Sequence, residues 1–401
     1  MTDSKCVLVG VTGGIAAYKI CTLVSSLKKQ NYEVHVLMTK NAQEFVSPLT
    51  FQTLSAQRVI TDMFAVDFQP DVHHVSLAKK ADLFVIAPAS ADVIAKVAHG
   101  IADDMLTTTF LAATCPKLIV PTMNTAMLEN PITQDNLERC RRFGMRVLES
   151  GDGYLACGDV GKGRMPEPWD IEDTIKEMLY TDKFLAGKRV LITAGSTQEA
   201  LDPVRYLTNH SSGKMGYALA KAARNAGADV TLVAGVNHLD DINGVRTVKV
   251  VSAKDMAEAV LPGQDEFDVF ILSAAVADFT PKVTADNKIH KSADGMTLEL
   301  GKTTDILATL GENKKPGQVL IGFSMETENM VERTAAKLKK KNCDYIVGNN
   351  VKEAGAGFAV DTNRVTIISA DGMQELGLLS KDETAEQILR YCLKKEGEEC
   401  C

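Results

Sequence analysis

Short apolar runs alternate with longer amphipathic stretches through the first 180 residues. The apolar runs predict five β-strands, within 5–11, 32–39, 82–90, 117–123 and 145–150. The stretches between them, such as 14–30 and 91–113, predict helices. Because the strands are continuously apolar instead of alternating, we expect them to be buried on both faces of a parallel, doubly wound sheet.

A glycine-dense segment over 151–168 interrupts this rhythm, and a helix is predicted after it from Trp169 to about Tyr180. A glycine-rich loop of this length inside a compact domain is more often functional than accidental. The polar stretch 181–188 follows and is the natural boundary. We therefore predict one domain over 1–183 and a second over 184–401.

The second half repeats the alternation of buried strands and helices. It predicts strands within 188–195, 229–235, 247–251, 268–278, 318–326, 343–350 and 364–369. Helices are expected near 216–226, 254–261, 328–341 and 382–395. The pattern indicates a second α/β domain with a mostly parallel sheet.

Charge and cysteine content narrow the class of protein. The 401 residues carry a formal net charge of −8, with 18 Lys and Arg against 22 Asp and Glu up to residue 184 and 26 against 30 beyond it. Neither half has the basic surface that a nucleic-acid partner requires. No apolar run reaches the length of a membrane span, and no signal-peptide pattern opens the chain. The nine cysteines form no CxxC pair, so we expect a reducing, cytoplasmic location.

The turn after the first strand is a candidate phosphate site. Thr12, Gly13 and Gly14 separate that strand from its helix, and unobstructed backbone amides at a helix N-terminus cradle phosphate. The spacing is not GxGxxG, which favours a mononucleotide such as FMN over a dinucleotide, although turn chemistry alone also explains the glycines. Thr39 and Ser90 follow two other strands, at the sheet edge where open α/β sheets bind ligands.

Three further side chains in the first half have chemistry but also ordinary structural explanations. His74 stands near a predicted helix start, Asn124 follows the fourth strand, and Cys157 lies in the glycine-dense segment. Histidine can cap or pack, asparagine tolerates turns, and cysteine is usually buried. Taken singly, each of them favours the structural explanation.

The second half offers a polar loop between its first strand and first long helix. Small hydroxyl and amide donors in 195–214, with Arg205 and Lys214, suit a phosphorylated or carboxylate ligand, although a polar surface loop is an equal explanation. The motif GxxxxGK[ST] is absent, which disfavours a kinase-type nucleotide site. For most of the lysines in 337–341 we favour a solvated helix end, where cations interact well with the helix dipole.

The combination of motifs in the first half resembles the flavin-dependent cysteine decarboxylases. The matching segments are TGGIAAYK (12–19), HVSLAKKAD (74–82), APASAD (87–92), PTMN (121–124) and ACGDVGKGRM (156–165). The resemblance implies a flavodoxin-like sheet, an FMN cofactor that oxidises the thiol-bearing carbon before CO2 leaves, and decarboxylation of phosphopantothenoylcysteine. It assigns acid/base chemistry to His74, a carboxylate contact to Asn124 and proton donation to Cys157. Asp92 departs from the Asn common in the family.

The second half resembles the bacterial phosphopantothenate–cysteine ligases. DPVRYLTNHSSGKMG (202–216) and AAVADF (274–279) are the most specific segments. The resemblance implies a Rossmann-like domain that activates 4′-phosphopantothenate with CTP, as an acyl-cytidylate, for attack by cysteine. It assigns the acyl-cytidylate to Asn209 with Arg205 nearby, phosphate charge to Lys288, and nucleotide contacts to Asp278, Phe323, Lys337 and Lys341. Ser196 and His290 depart from the common family residues.

Together the resemblances imply two consecutive steps of coenzyme A biosynthesis by one multifunctional enzyme. They also imply Mg2+ with the nucleotide, small-molecule substrates, and a homo-oligomer with a trimeric decarboxylase core, dimeric ligase domains and a possible dodecamer. One alternative is a flavin-family decarboxylase fused to a dinucleotide-binding reductase domain, and another is an inactive regulatory subunit. A reductase predicts GxGxxG, which is missing, and a regulatory subunit predicts loss of His74, Asn124 or Cys157, all of which are present.

Overall fold

The computed structural model describes residues 4–63, 73–154, 158, 160–290, 296–326, 330–350 and 362–394. Contacts divide the chain into two units, Met1–Tyr180 and Thr181–Cys401. The sequence places the boundary between functional domains after residue 183, in the same polar stretch. The two units are described separately below.

The first unit alternates strands and helices in chain order. Its strands are β1 (Cys6–Val11), β2 (Glu33–Met38), β3 (Leu83–Ala89), β4 (Lys117–Pro121), β5 (Arg146–Val147), β6 (Gly151–Tyr154) and β7 (Val160–Arg164). Its helices are α1 (Ala17–Lys29), α2 (Pro48–Ser55), α3 (His73–Lys80), α4 (Ala91–His99), α5 (Met105–Ala112), α6 (Thr125–Glu129), α7 (Pro131–Arg142) and α8 (Pro168–Leu179).

Five of these strands form one parallel sheet in the order β2-β1-β3-β4-β5. Every residue of β1 and β3 is buried, because helices cover both faces of the sheet. Ile20 of α1 and Ile171 of α8 pack on one face, and Ile94 of α4 and Leu106 of α5 pack on the other. The predicted parallel, doubly wound sheet is confirmed, and its strand order reverses between β1 and β3, where such sheets bind ligands.

Two predictions in this unit are wrong. The single helix expected over 91–113 is two helices, because Gly100 ends α4 in the left-handed conformation, with φ +70°. Asp104 then begins α5 with a capping box to Thr107. The segment 151–168, expected as a loop, contains the antiparallel hairpin β6–β7. Glycine-rich strands carry no hydrophobic alternation, which is why the sequence gives no sign of this pairing.

The second unit contains the remaining strands and helices. Its strands are β8 (Arg189–Ala194), β9 (Gln198–Ala200), β10 (Tyr206–Thr208), β11 (Asp229–Ala234), β12 (Arg246–Lys249), β13 (Val269–Leu272), β14 (Phe279–Pro281), β15 (Leu300–Lys302), β16 (Val319–Glu326), β17 (Tyr345–Asn350), β18 (Thr362–Asn363), β19 (Val365–Ser369), β20 (Met373–Glu375) and β21 (Leu379–Ser380). Its helices are α9 (Lys214–Asn225), α10 (Ala253–Val260), α11 (Ile306–Glu312), α12 (Met330–Lys340) and α13 (Lys381–Leu393).

The large sheet of this unit has the order β12-β11-β8-β13-β16-β17-β19-β20. Its first six strands are parallel, and β19 and β20 add an antiparallel edge. Counted along the unit, the parallel strands follow the order 3-2-1-4-5-6 of a Rossmann-type sheet. The predicted mostly parallel sheet is therefore confirmed, with its switch point between β8 and β13. In the part of the chain that the structure describes, no helix is long and apolar enough to cross a membrane.

Candidate functional site

The switch point of the first sheet is braced by Thr12. Its side chain is fully buried, its hydroxyl donates to the Pro88 carbonyl at 2.7 Å, and it accepts the backbone N–H of Ser90 at 2.9 Å. This hydroxyl ties the end of β1 to the end of β3. Because the side chain is committed to these two bonds, any contact of Thr12 with a phosphate must come from its backbone.

The two glycines after Thr12 differ in their surroundings. A Cβ atom at Gly13 would lie 2.6 Å from the Cβ of Asn41, so only glycine fits there. A Cβ at Gly14 would meet nothing within 4 Å. The N-cap residue of α1, Ala16, makes no side-chain cap bond to the first turn. The N–H groups of Ala17 and Lys19 donate to the carbonyls of Gly14 and Ala16, each at 3.0 Å, so any amide contact with a phosphate must come from the turn itself. An open space at a turn that leads into a helix matches what a phosphate group needs.

Thr39 and Ser90 end the strands on either side of β1. Each is an N-cap, with the Thr39 hydroxyl accepting the Ala42 N–H at 3.2 Å and the Ser90 hydroxyl accepting the Val93 N–H at 3.4 Å. The Thr39 N–H donates to the Val11 carbonyl at 3.1 Å. The structure thus brings Thr39 and Ser90 to the same sheet edge as the glycine turn.

Asn124 lies at this edge beyond β4 and caps α6, with its side-chain oxygen accepting the Ala126 N–H at 2.9 Å. The β6–β7 hairpin lies against this cap. The Met123 N–H donates to the Gly163 carbonyl at 3.1 Å, and the Thr125 hydroxyl donates to the Lys162 carbonyl at 2.7 Å. The loop that carries Asn124 is therefore held by the base of the hairpin.

Gly163 makes this close approach possible. It has φ +126°, and a Cβ at this position would lie 2.1 Å from the Met123 carbonyl oxygen. Any side chain at this position would separate the hairpin from the Asn124 loop. The spacing of glycines in the sequence indicates a special backbone here but cannot identify its partner.

Glu167 connects the hairpin to the helix of the glycine turn. Its carboxylate pairs with Lys19 of α1 at 2.8 Å and with Arg164 of β7 at 2.5 Å. The hydrogen bond from Lys19, which outweighs the effect of burial, lowers the pKa of Glu167, and the charge of Arg164 adds to this. The sequence offers no sign of this network, because the three residues lie on separate elements.

His74 lies in the first turn of α3 and is half-buried. Lys80, at the other end of α3, contacts Glu33 at the start of β2. The His74 end of the helix therefore points toward the opposite edge of the sheet, which is the edge of the glycine turn. Cys157, the third residue of this predicted set, lies outside the described residues.

The first strand of the second sheet also ends in a glycine turn, but this turn is closed. Gly195 has φ +79°, and a Cβ there would lie 2.9 Å from the Gly235 carbonyl oxygen. Ser196 bridges to both Val236 and Ala275. Protein backbone fills the space that a ligand would occupy at such a turn.

A cleft of about 510 Å³ opens beside this turn, at the carboxyl edge of β13 and β16. Four predicted nucleotide contacts line it together: Asp278, Phe323, Lys337 and Lys341. The Lys337 ammonium donates to the Ser324 hydroxyl at 3.0 Å. The Lys341 ammonium pairs with Asp305, the N-cap of α11. Burial alone would raise the pKa of Asp305, but the Lys341 contact and a backbone N–H lower it overall.

Asn209 is hydrogen-bonded to segment 274–279, which forms part of the wall of this cleft. Its amide donates to the Val276 carbonyl at 3.1 Å and to the Ala275 carbonyl at 3.4 Å. Val276 itself lines the cleft. The two distinctive segments, 202–216 and 274–279, are thus joined through this one side chain.

Asp202 joins Arg205 to the loop that carries Lys288, through its contact with Ile289. The buried Asp202 carboxylate accepts both a side-chain bond from Arg205 and the Ile289 N–H, the latter at 3.1 Å. Arg205 also donates to the Ile289 carbonyl at 2.7 Å. The guanidinium beside Asp202, with three backbone N–H groups, holds the pKa of that carboxyl well below its usual range. Arg205 is therefore occupied in anchoring the loop on which the exposed Lys288 lies.

A smaller pocket of about 130 Å³ adjoins the start of α9, and Phe323 lines both this pocket and the cleft. The sequence predicts Ser211, Ser212 and Lys214 as ligand donors. The other polar side chains that line the pocket are missed: Ser273, Ser324, Asn349, Asn363 and the buried Lys381. The capping box of Ser380 and Glu383 marks the start of α13. That signal locates a helix start but not the pocket toward which Lys381 lies.

The fold and these sites define a two-domain α/β enzyme, with one phosphate-type turn and one nucleotide-sized cleft at the switch points of two parallel sheets. A "Flavoprotein" family model matches residues 1–180, and a "DNA/pantothenate metabolism flavoprotein C-terminal domain" model matches residues 185–395. The chain belongs to the family of bifunctional coenzyme A biosynthesis proteins.

Two relatives that match over nearly the whole chain agree with this membership. The chain is 49% identical over 394 residues to the "Coenzyme A biosynthesis bifunctional protein CoaBC" of Bacillus subtilis (strain 168), covering 97% of each chain. It is 44% identical over 387 residues to the protein of the same name from Vibrio cholerae, covering 96% of this chain and 97% of the relative. A solved C-terminal domain of such a protein covers 52% of this chain and 95% of its own, with 46% identity and a TM-score of 0.45.

These matches confirm the predicted family and decide between the alternatives left open by the sequence. The matching model over 185–395 is a pantothenate metabolism domain, so the alternative of a dinucleotide-binding reductase is not favoured. The match over 1–180 identifies the first unit as a flavoprotein domain.

Proposed function

We propose that the chain catalyses two consecutive reactions of coenzyme A biosynthesis. The second unit joins cysteine to 4′-phosphopantothenate at the expense of CTP, and the first unit decarboxylates the resulting 4′-phosphopantothenoylcysteine to 4′-phosphopantetheine. The observation that carries this proposal is the gathering of independently predicted residues at one edge of each sheet. The name borne by relatives that match over nearly the whole chain supports the same assignment.

The cofactor proposed for the first unit is FMN, with its phosphate beside the glycine turn. The open space at Gly14, in the turn that leads into α1, fits a phosphate group. Thr39 and Ser90 flank this position at the same edge. When bound, FMN supplies reversible two-electron redox chemistry to the site.

Three side chains are proposed to act on the substrate of the first unit. Asn124 uses its carboxamide oxygen in the cap of α6, so its Nδ2 is the group oriented to donate to the substrate carboxylate. His74 exchanges a proton in the oxidative stage, and Cys157 donates the proton in the final reduction.

A Cys157→Ser variant should still release CO2 but stall before the aminoethanethiol product forms. Normal product yield from that variant would remove Cys157 from this role.

The cleft of the second unit is proposed to hold the nucleotide. Asp278 and Phe323 contact the nucleoside, while Lys337 and Lys341 offset phosphate charge. The carboxylate of 4′-phosphopantothenate attacks the α-phosphate of CTP, which forms the acyl-cytidylate and releases pyrophosphate. The cysteine amine then displaces CMP. Asn209 stabilises the acyl-cytidylate, and Lys288, on the loop anchored by Asp202 and Arg205, acts on phosphate charge.

The smaller pocket is proposed to take a second anionic group. It is lined by four serines together with Lys214 and the buried Lys381, a donor set suited to a phosphate. Both 4′-phosphopantothenate and pyrophosphate carry such a group. Calorimetric titration of Lys381→Met with each compound should show which of the two loses affinity, and unchanged affinity for both would remove Lys381 from binding.

Mg2+ and self-association complete the proposal. Mg2+ would offset the charge of the triphosphate, and omission of Mg2+ should abolish pyrophosphate release.

Ile15 and Tyr18 are 56% and 58% exposed next to the glycine turn, which suits contact with another copy of the chain. We propose a trimeric decarboxylase core and dimeric ligase domains, possibly closing as a dodecamer. A monomer by light scattering would contradict this assembly. The cytoplasmic location stays a prediction.

The experiment that tests the ligase reaction is pyrophosphate release with 4′-phosphopantothenate, cysteine and either CTP or ATP. The proposal predicts release that prefers CTP and requires 4′-phosphopantothenate. Sustained release also requires cysteine, because only cysteine discharges the acyl-cytidylate. Equal rates with ATP would contradict the CTP assignment while leaving the ligation intact. A flavin absorption spectrum of the purified protein tests the first unit independently.

A further inference from the structure

The first unit carries a cluster of three different metal-ligating side chains at the edge of its sheet opposite to the glycine turn. Cys6 begins β1, and its register partner on β2 is Glu33, while His35 is paired with Leu8. Register partners on neighbouring strands, and residues two apart on one strand, point to the same face. Cys6, Glu33 and His35 therefore share one face at the start of the sheet.

The ligand atoms of these residues already lie close together. The Cys6 sulfur, a Glu33 carboxylate oxygen and a His35 ring nitrogen are all within 4.8 Å of one another. The Glu33 oxygen and the His35 Nε2 are 2.9 Å apart. Cys6 is buried, whereas the side chains of His35 and Glu33 remain 13% and 23% exposed. The Cys6 sulfur is thus shielded from solvent, whereas a metal ion can reach the cluster from the side of Glu33 and His35.

We propose that Cys6, Glu33 and His35 form a binding site for a zinc-class divalent transition metal ion. Thiolate, imidazole and carboxylate are the three ligand types that Zn2+ takes in proteins, and three protein ligands leave the fourth tetrahedral position to water. Neither reaction proposed above uses this site, which lies at the other end of the strands. A bound ion would crosslink β1 to the edge strand β2.

Binding requires small movements that the surroundings permit. Metal–ligand distances of about 2.0–2.3 Å place tetrahedral ligands about 3.3–3.8 Å apart. The Cys6 sulfur, now within 4.8 Å of the other two ligand atoms, must therefore approach them by up to about 1 Å. The Glu33 oxygen and the His35 Nε2, now 2.9 Å apart, must separate by about 0.4 Å. Two of the three ligands lie on an edge strand with partly exposed side chains. The thiol proton of Cys6 leaves to solvent as the sulfur ligates the ion.

Lys80 competes with a metal ion for the Glu33 carboxylate through its ammonium group. Its ammonium lies 2.5 Å from the Glu33 carboxylate, and its side chain is 52% exposed. The ammonium can therefore move into water when a metal takes its place. Removing this cation should strengthen metal binding, whereas a cluster that serves only as an ion-pair network would gain nothing from its removal.

The first test measures zinc in the full-length protein after loading and exhaustive dialysis. Wild type and Cys140→Ser, a control that removes another buried thiol of this unit, should retain one more zinc per chain than Cys6→Ser and His35→Gln. X-ray absorption should show a sulfur at about 2.3 Å that disappears in Cys6→Ser. Equal zinc content and equal sulfur coordination in Cys6→Ser and wild type would overturn the proposal.

The second test uses Lys80→Met, which keeps all three ligands. Calorimetric titration with Zn2+ should show at least tenfold tighter binding at this site than in wild type, and the gain should vanish in the double variant with His35→Gln. Zn2+ should also raise the unfolding temperature of wild type but not that of His35→Gln. Unchanged or weaker affinity in Lys80→Met would overturn the proposal even if a ligand variant folds poorly.

Discussion

The two sheets end their first strands in the same way but use the resulting turns differently. At Gly14 the turn after β1 is open, and α1 begins three residues later. At Gly195 the turn after β8 is packed against the carbonyl of Gly235, and the first long helix, α9, begins only at Lys214. The same topological position is thus an open turn, the proposed phosphate site, in one unit and a turn closed by protein backbone in the other.

The difference bears on how the two proposed ligands would be bound. In the first unit, we propose that backbone amides of an open turn hold a single phosphate group. In the second unit, charged side chains from strands and helices distant in sequence line a cleft large enough for a nucleoside triphosphate. Two similar sheets therefore acquire different chemistry from the length and packing of one loop.

The largest expected effect comes from Asn209→Asp. The new carboxylate would face the carbonyls of Ala275 and Val276, to which the amide now donates, and the amide donor would be lost. Ligation should fall by about 10²–10³-fold, measured as pyrophosphate release. Decarboxylation of added phosphopantothenoylcysteine should continue at the wild-type rate. Loss of both activities in a folded variant would show that the two sites are not separable.

The second-largest effects are expected from alanine substitutions in the two glycine turns. Gly14→Ala puts a methyl group into the open space without touching protein, so it should fold normally yet lose FMN affinity by about tenfold or more. Gly195→Ala strains a left-handed residue against Gly235 and should destabilise the second unit while leaving flavin content unchanged. Flavin absorbance per chain and thermal unfolding measure both outcomes. Full flavin retention in Gly14→Ala would place the phosphate elsewhere.

A smaller effect is expected at the cleft. Lys341→Met should raise the KM for CTP about tenfold, which corresponds to about 1.4 kcal/mol of binding energy. Lys339, in the last turn of α12 and two residues before Lys341, does not line the cleft, so Lys339→Met is the matched control. An equal rise in KM for both variants would indicate a general charge effect instead of a contact in the cleft.

The smallest effect concerns the network that joins the hairpin to α1. Glu167→Gln removes ion pairs to Lys19 and Arg164 that are partly exposed, and such pairs contribute about 0.2–1 kcal/mol each. We expect a decrease of a few fold in decarboxylation, measured as kcat for added phosphopantothenoylcysteine, with flavin content unchanged. Loss of flavin in this variant would instead connect Glu167 to the cofactor.

The pH dependence of stability checks the same network. The folded-state pKa of Glu167 is lowered, so its carboxylate stabilises the native state above the ordinary Glu pKa, and this stabilisation is lost as the pH falls toward the lowered value. The difference in unfolding free energy between wild type and Glu167→Gln should therefore shrink below about pH 4.5. Denaturant titrations at neutral and acid pH measure it, and a difference independent of pH would contradict the ion-pair account.

The sequence predicts the parallel sheets because continuously apolar strands can only be buried on both faces, as β1 and β3 are. Through the family resemblance it also predicts that Asp278 and Phe323 contact the same nucleotide, and both residues line one cleft. It cannot predict that Arg205 is bound to Asp202, because the arginine is equally suited to a phosphate. Lys381 and the Glu167 network are missed because their partners come from distant elements, and the β6–β7 hairpin because glycines carry no alternation.

The central claim is that one chain makes and then decarboxylates the same intermediate. Purified protein with bound flavin should be incubated with 4′-phosphopantothenate, cysteine, CTP and Mg2+, with CO2, pyrophosphate and phosphorylated products quantified together. The account predicts one CO2 and one pyrophosphate for each 4′-phosphopantetheine formed. Pyrophosphate release without 4′-phosphopantetheine, or no reaction by the flavin-loaded protein, would contradict it.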